Sequence, residues 1–108
     1  MAVGTLAGVL RELGMEEREA ELYLALLRAG AGTPSALAEA LGHDRTTTYY
    51  ALVRMVKRGY ATVAMEGGVR TFRPTEPKAL LAQLRETEDA LAEAVPALEG
   101  QKIGRAHV

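Results

Sequence analysis

Between Thr33 and Phe72 the chain carries backbone punctuation at four places, and together they leave few ways to fold. Thr33-Pro34 is a helix start, because a threonine oxygen accepts from first-turn amides and proline is favoured at the first helical position. Gly42 follows the apolar set Leu37, Ala38 and Leu41 and admits the left-handed backbone that ends a helix in a tight turn. Asp44 is a good N-cap for a second helix almost immediately afterwards. Gly67-Gly68 separates two alternating runs and specifies a two-residue hairpin loop. A short helix, a sharp turn, a second helix and a hairpin are therefore predicted in one uninterrupted stretch.

Apolar spacing fills in the rest. Leu6, Val9, Leu10 and Leu13 follow i, i+3, i+4, i+7 and predict a first helix that stops at Gly14. Ala20, Tyr23, Leu24 and Leu27 repeat the pattern to Gly30, while Leu22 and Leu26 widen the apolar face so that this helix packs on two sides. After Asp44, the residues Thr48, Ala51, Leu52 and Met55 form a core stripe through to Gly59. That assignment leaves Thr46, Thr47, Tyr50, Arg54 and Lys57 on the outward side, with Arg45 at the helix start. A strand runs through Ala61, Val63 and Met65 and returns through Val69 to Arg73 before Pro74 ends it. With the two glycines as the loop, Val63 lies opposite Phe72, which anchors the hairpin, and Arg70 and Arg73 sit near its tip and flank.

This order is that of a winged helix-turn-helix, mainly α with a small β-hairpin wing, whose second helix is shaped for a DNA major groove. Three consecutive threonines lose helix propensity without an evident packing reason. Short hydroxyls beside tyrosines suit phosphate hydrogen bonds and contact with thymine methyl groups. Tyr49 lies beside the buried stripe, and core packing is its alternative role. Arg54 and Lys57 have the alternative of a solvated helix end that complements the dipole.

Net charge over the whole chain is −1, but it is unevenly distributed. Residues 1–42 carry three arginines against six glutamates, whereas residues 43–73 carry Arg45, Arg54, Lys57, Arg58, Arg70 and Arg73 against only Asp44 and Glu66. Since docking depends on the local field, positive charge gathered on the second helix and the hairpin is compatible with DNA binding. It also argues against indiscriminate binding, because few phosphates are neutralised per chain. The absence of cysteine excludes disulfides, thiolate catalysis and cysteine-based zinc sites. Ser35 is the sole serine, and His43 and His107 are far apart with no carboxylate pair at ligand spacing, so neither an enzyme nor a metal site nor a cofactor is expected. No apolar run approaches the roughly 18 residues of a membrane span, and a cytoplasmic protein is expected.

From Pro77 the residues Leu80, Leu84, Thr87, Leu91, Ala94 and Leu98 are spaced as a coiled-coil seam, with Glu86, Glu88, Asp89 and Glu93 keeping the outer face solvated. The seam predicts pairing with a second copy, and a helix folded back on its own domain is the alternative. Pro96 is expected to end or kink this helix. The organisation expected is a DNA-binding domain over 1–76, a dimerisation helix over 77–99 and a flexible tail over 100–108.

Leu13-Gly14, Glu19-Ala20, Tyr23-Leu24-Ala25-Leu26-Leu27, Gly30, Thr33, Leu37-Ala38, Gly42, Arg45, Tyr49, Leu52, Gly59 and Arg70-Thr71-Phe72-Arg73-Pro74 form an ordered set. The set resembles the N-terminal winged-helix domain of the TrmB family of transcriptional regulators, roughly over residues 5 to 80. That resemblance implies a homodimeric, sequence-specific binder of double-stranded DNA, with Arg45 and Tyr49 on the family's recognition-helix arginine and tyrosine. Departures are Glu16 at a usual Thr or Ser cap, His43-Asp44 at a Val-Pro-like pair, and Tyr50 at a common Asp. The last alters the groove-facing surface, so operator preference does not transfer. Many relatives continue into a large sugar-binding domain, whereas a helix is expected here, so no sugar or other effector is inferred. The competing function is a winged helix used for protein contacts without specific DNA binding. Convergence of Arg45, Arg54, Arg70 and Arg73 on one surface would favour DNA.

Overall fold

The computed structural model describes residues 5–106. In chain order the elements are α1 (Leu6–Leu13), α2 (Glu17–Ala29), α3 (Pro34–Leu41), α4 (Arg45–Lys57), β1 (Ala61–Glu66), β2 (Val69–Pro74) and α5 (Pro77–Ala106). They fall into two compact units, Met1–Thr75 and Glu76–Val108.

In the first unit the helix ends obey local chemistry. Thr33 Oγ1 accepts from the Ala36 amide at 3.2 Å with Pro34 at the first helical position, and Asp44 Oδ2 accepts from the Thr47 amide at 2.9 Å. Between these two starts Gly42 adopts φ 70°, and the His43 amide returns to the Ala38 carbonyl, which closes the turn of a helix-turn-helix. At the far end of α4 the Tyr60 amide reaches the Met55 carbonyl and the Gly59 amide reaches that of Val56. This pairing needs a left-handed residue, and Gly59 at φ 84° provides it.

The wing is the antiparallel pair β1 and β2, with Gly67 and Gly68 both at positive φ in its loop. Val63 lies opposite Phe72, as expected. Phe72 is buried and fastens the hairpin in two ways. Its ring enters the core, and its backbone exchanges two hydrogen bonds with Gly32, at 2.8 and 2.9 Å, in an isolated bridge that local patterning does not predict. Glycine is required there by space, since a Cβ on Gly32 would lie 2.9 Å from Leu37 Cγ.

The core joins Leu22, Tyr23 and Leu26 of α2, Leu37 and Ala38 of α3, Ala51, Leu52 and Met55 of α4, and Phe72 of β2. Each large apolar side chain buried here contributes about 1.5–3 kcal/mol. The α4 stripe is the expected one, but the α2 face departs from the expected one at its edges. Its buried residues are Glu19, Ala20, Leu22, Tyr23, Ala25 and Leu26, so the expected Ala20 and Tyr23 and the widening pair Leu22 and Leu26 are inside, while Leu27 is exposed and Leu24 only half-buried. A row read from apolar residues alone passes over Glu19, a carboxylate that the fold buries, and so extends to Leu27 at the other end. The α1 helix forms as expected but contributes no buried residue, and Leu6 is 69% exposed.

The second unit is α5. Pro96 does not end this helix, which continues to Ala106 and takes in residues 100–106 of the expected tail; residues 107–108 lie outside the described residues. An interior proline removes one helical hydrogen bond and crowds the carbonyl four positions back, at about 3 kcal/mol. The Ala92 side of this turn is exposed, so water can take up the freed carbonyl, and the Ala- and Glu-rich flanks favour helix. Leu84, Leu91 and Leu98 of the expected seam are exposed, as is Thr87, whose hydroxyl donates to the Gln83 carbonyl at 3.1 Å. Ala94 is half-buried and Leu80 is buried. Leu81 and Val95, also exposed, add apolar surface to the helix.

Candidate nucleic-acid interface

The α4 helix divides its polar residues sharply. Thr48 turns into the core, while Thr46, Thr47, Tyr50, Arg54 and Lys57 are exposed and Tyr49 is half-buried. The threonine run is therefore split: two hydroxyls face outward and the third belongs to the packing stripe. Tyr50 is 58% exposed and meets Tyr49 edge to face, with centroids 5.4 Å apart. A large aromatic left this open keeps most of its surface available to a partner.

At its N-terminal end α4 forms one wall of a cleft whose other walls are α3 and the wing. Pro34, Arg45, Tyr49, Met65, Val69 and Arg70 line it. Arg45 is held by Nε donating to Ser35 Oγ at 2.7 Å. Arg70 donates from Nη1 to the Tyr49 hydroxyl at 2.8 Å, with its guanidinium 5.6 Å from the centre of the Tyr49 ring. Tyr49, half-buried, thus stands between the packing stripe of α4 and the cleft that its ring borders. Alternation explains the meeting, because Arg70 stands opposite Met65 and two positions from the buried Phe72, on the face turned towards the helices.

The remaining cations are placed differently. Arg73 is three positions from Arg70 and so on the other face of the hairpin, where Nη1 meets Glu66 Oε2 at 2.6 Å. The hydrogen bond and the charge of Glu66 raise the Arg73 pKa further above its already high ordinary value. Arg54 lies 3.6 Å from Glu16 and 3.8 Å from Glu19. Among the described residues Arg45, Arg70 and Lys57 have no carboxylate within ion-pair distance. Of the four arginines whose clustering was in question, Arg45 and Arg70 thus converge on one cleft, and Arg54 and Arg73 are engaged by glutamates elsewhere.

Two further groups bear on this surface and escape sequence patterning. Ser35 supports Arg45 from α3, and Arg18 of α2 donates from Nη1 to Thr47 Oγ1 at 2.8 Å. The second contact spans 29 positions, so no local spacing rule reports it. Near the same turn His43 Nε2 lies 3.0 Å from Glu21 Oε1. No group of three or more His, Cys, Asp or Glu side chains among the described residues could hold a metal ion.

Residues 10–78 match the family described as "Sugar-specific transcriptional regulator TrmB". The chain belongs to the TrmB family. Among solved structures it is similar to TrmBL2, an archaeal chromatin protein described as showing a novel mode of DNA binding, at 25% identity and a TM-score of 0.78. That match covers 90% of this chain and 38% of TrmBL2, so the chain spans well under half of that relative. The AntR antimony-specific transcriptional repressor matches at 24% identity and a TM-score of 0.56, over 89% of this chain and 90% of its own. MarR of E. coli matches at 18% identity and a TM-score of 0.60, over 73% of this chain and 60% of its own. The last two share the fold. No curated protein sequence matches the chain. TrmB membership places the chain in a family of transcriptional regulators, and the neighbours show the winged-helix fold. Among the described residues no helix is long and apolar enough to cross a membrane.

Proposed function

We propose that the chain is a cytoplasmic, sequence-specific regulator that binds double-stranded DNA as a homodimer on an inverted-repeat operator, with residues 1–76 docking and 77–99 pairing the copies. One observation carries this: Arg45 and Arg70, with no carboxylate partner among the described residues, flank a helix end from which Thr46, Thr47 and Tyr50 project into solvent. A helix of this length, about 20 Å at 1.5 Å per residue, fits a major groove about 12 Å wide when entered by its N-terminal turns. Arg45, Thr46, Thr47 and Tyr50 then meet base edges, and Tyr49 holds Arg70 beside the backbone. Lys57 reaches phosphate, while Arg54 and Arg73 do so only after leaving their glutamates.

The dimer rests on the apolar stripe of α5. Leu84, Leu91 and Leu98 recur at heptad spacing and are exposed in the single chain, a pattern whose usual partner is another such helix. Thr87 and Ala94 complete the seam, while Leu80 is already buried within the single chain.

Titration of a fluorescent duplex at two salt concentrations tests the docking surface. Binding that weakens steeply with salt supports it, and binding absent even at low salt removes it. The second function, a winged helix for protein contacts, is favoured by a specific observation: Leu6 and Val9 of α1 are exposed apolar groups on the DNA-binding unit itself. Salt-insensitive capture of a protein partner with no duplex affinity would select it.

A further inference from the structure

The Thr47 hydroxyl is the one outward hydroxyl of α4 whose hydrogen-bonding capacity is largely spent inside the protein. Its proton is donated to the Asp44 carbonyl at 3.2 Å, and one oxygen lone pair accepts from Arg18 Nη1 at 2.8 Å. A threonine hydroxyl offers one donor and two acceptor sites. With the donor and one acceptor site occupied, what remains towards solvent is a single lone pair beside the γ-methyl group. The backbone beneath is fixed as well, because Asp44 Oδ2 holds the Thr47 amide at 2.9 Å.

We infer that Arg18 is a specificity-determining residue: with the Thr47 proton on the Asp44 carbonyl, the hydrogen bond from Arg18 holds the hydroxyl in that orientation, so the recognition helix presents a lone pair and distinguishes amino-bearing from keto-bearing bases at one position. This rests on the proposed docking of α4 in a major groove. There adenine and cytosine each present an exocyclic amine donor, whereas thymine presents O4 and guanine presents O6 and N7, all acceptors. A lone pair facing an amine makes a hydrogen bond; facing O4 or O6 it leaves two acceptors opposed and desolvated. A free threonine hydroxyl would rotate to donate or accept and would tolerate all four bases. Arg18 acts here through Thr47 and is a positioning residue, although its own charge adds attraction to phosphate.

The test uses the full chain and a random duplex library, followed by affinities for sites altered at a single base pair. The parent should favour adenine or cytosine over guanine or thymine at one half-site position by about tenfold, within the usual cost of one mismatched pair. Arg18→Met should bring that ratio within about twofold of unity while the other positions keep theirs, and Thr47→Val should do the same at the same position. The double variant should lose no more than either single one, since the two residues act as one unit. Because the ratio is taken within each variant, the affinity lost with the Arg18 charge cancels. Thermal unfolding like that of the parent secures that Arg18→Met folds. An Arg18→Met variant that keeps the parent's ratio, or a parent that prefers guanine or thymine at the Thr47 position, overturns the inference and leaves the docking proposal standing. A parent that enriches no sequence overturns both. Independently of DNA, the Arg18 guanidinium proton resonances should sharpen in the parent and broaden in Thr47→Val; identical spectra would also contradict the pairing.

Discussion

Glu19 Oε1, wholly buried at the start of α2, accepts from Arg58 Nη1 at 2.9 Å and from the Glu16 amide at 2.8 Å. One carboxylate thereby fixes the first turn of α2 and ties it to the end of α4. Arg58 reaches it from the half-exposed cap of α4, also donating to the Gly14 carbonyl and lying 5.2 Å from the centre of the Tyr60 ring. This contact fastens the far end of the candidate recognition helix, whose buried stripe packs it in the core.

Removing Arg58 strands the carboxylate, leaving Arg54 at 3.8 Å as its nearest cation. Arg58→Ala should cost about 2–4 kcal/mol, since an unpaired buried charge is the expensive outcome, discounted here for the exposure of the arginine. Glu19→Gln keeps an acceptor for both donors and should cost about 1 kcal/mol. Urea unfolding of the two variants checks the order; equal losses would show that the buried charge is not what matters.

Pairing through α5 predicts the oligomeric state. Leu84→Glu combined with Leu91→Glu places charge in the apolar stripe and should convert dimers to monomers while the first unit keeps its fold. Light scattering at micromolar concentration is decisive. A parent chain that is already monomeric there contradicts the pairing.

The two wing arginines should behave unequally. Arg70 has no carboxylate partner among the described residues and faces the cleft, so Arg70→Ala should weaken binding to all duplexes and flatten the logarithmic salt dependence by about 0.9 for a lost phosphate contact. Arg73 must first leave Glu66, so Arg73→Ala should cost less, and Glu66→Gln should tighten binding by releasing it. If all three variants bind as the parent does at low salt, the hairpin is structural only.

Much of this was legible because the informative residues act locally. Thr33-Pro34, Gly42, Asp44, Gly59 and Gly67-Gly68 each satisfy a cap or a turn within a few positions of themselves, and the register placing Val63 opposite Phe72 follows from the loop length. What stayed hidden depends on partners far along the chain. Glu19 is invisible as a core residue until Arg58 is brought to it, which shifts the edge of the predicted face of α2. Gly32 pairs with Phe72 across forty positions of sequence numbering, and its need for glycine comes from Leu37 packing above it. Arg18 counts as one charge in an acidic segment until the fold sets it against Thr47. Pro96, expected to end or kink α5, does not end it, since its local penalty is outweighed by the helix-forming residues on both sides.

The central claim is that the N-terminal turns of α4 read bases in a two-fold arrangement, and selection from a random duplex library tests it most directly. An inverted repeat with half-site centres about 10 base pairs apart or a multiple of that should be enriched, as two copies on one face of the duplex require. Thr47→Ala and Tyr50→Ala should relax the selected sequence, and Lys57→Ala should lower affinity without changing it. No enriched motif, or a motif left intact by substitution of Arg45, Thr46, Thr47 and Tyr50, would contradict it.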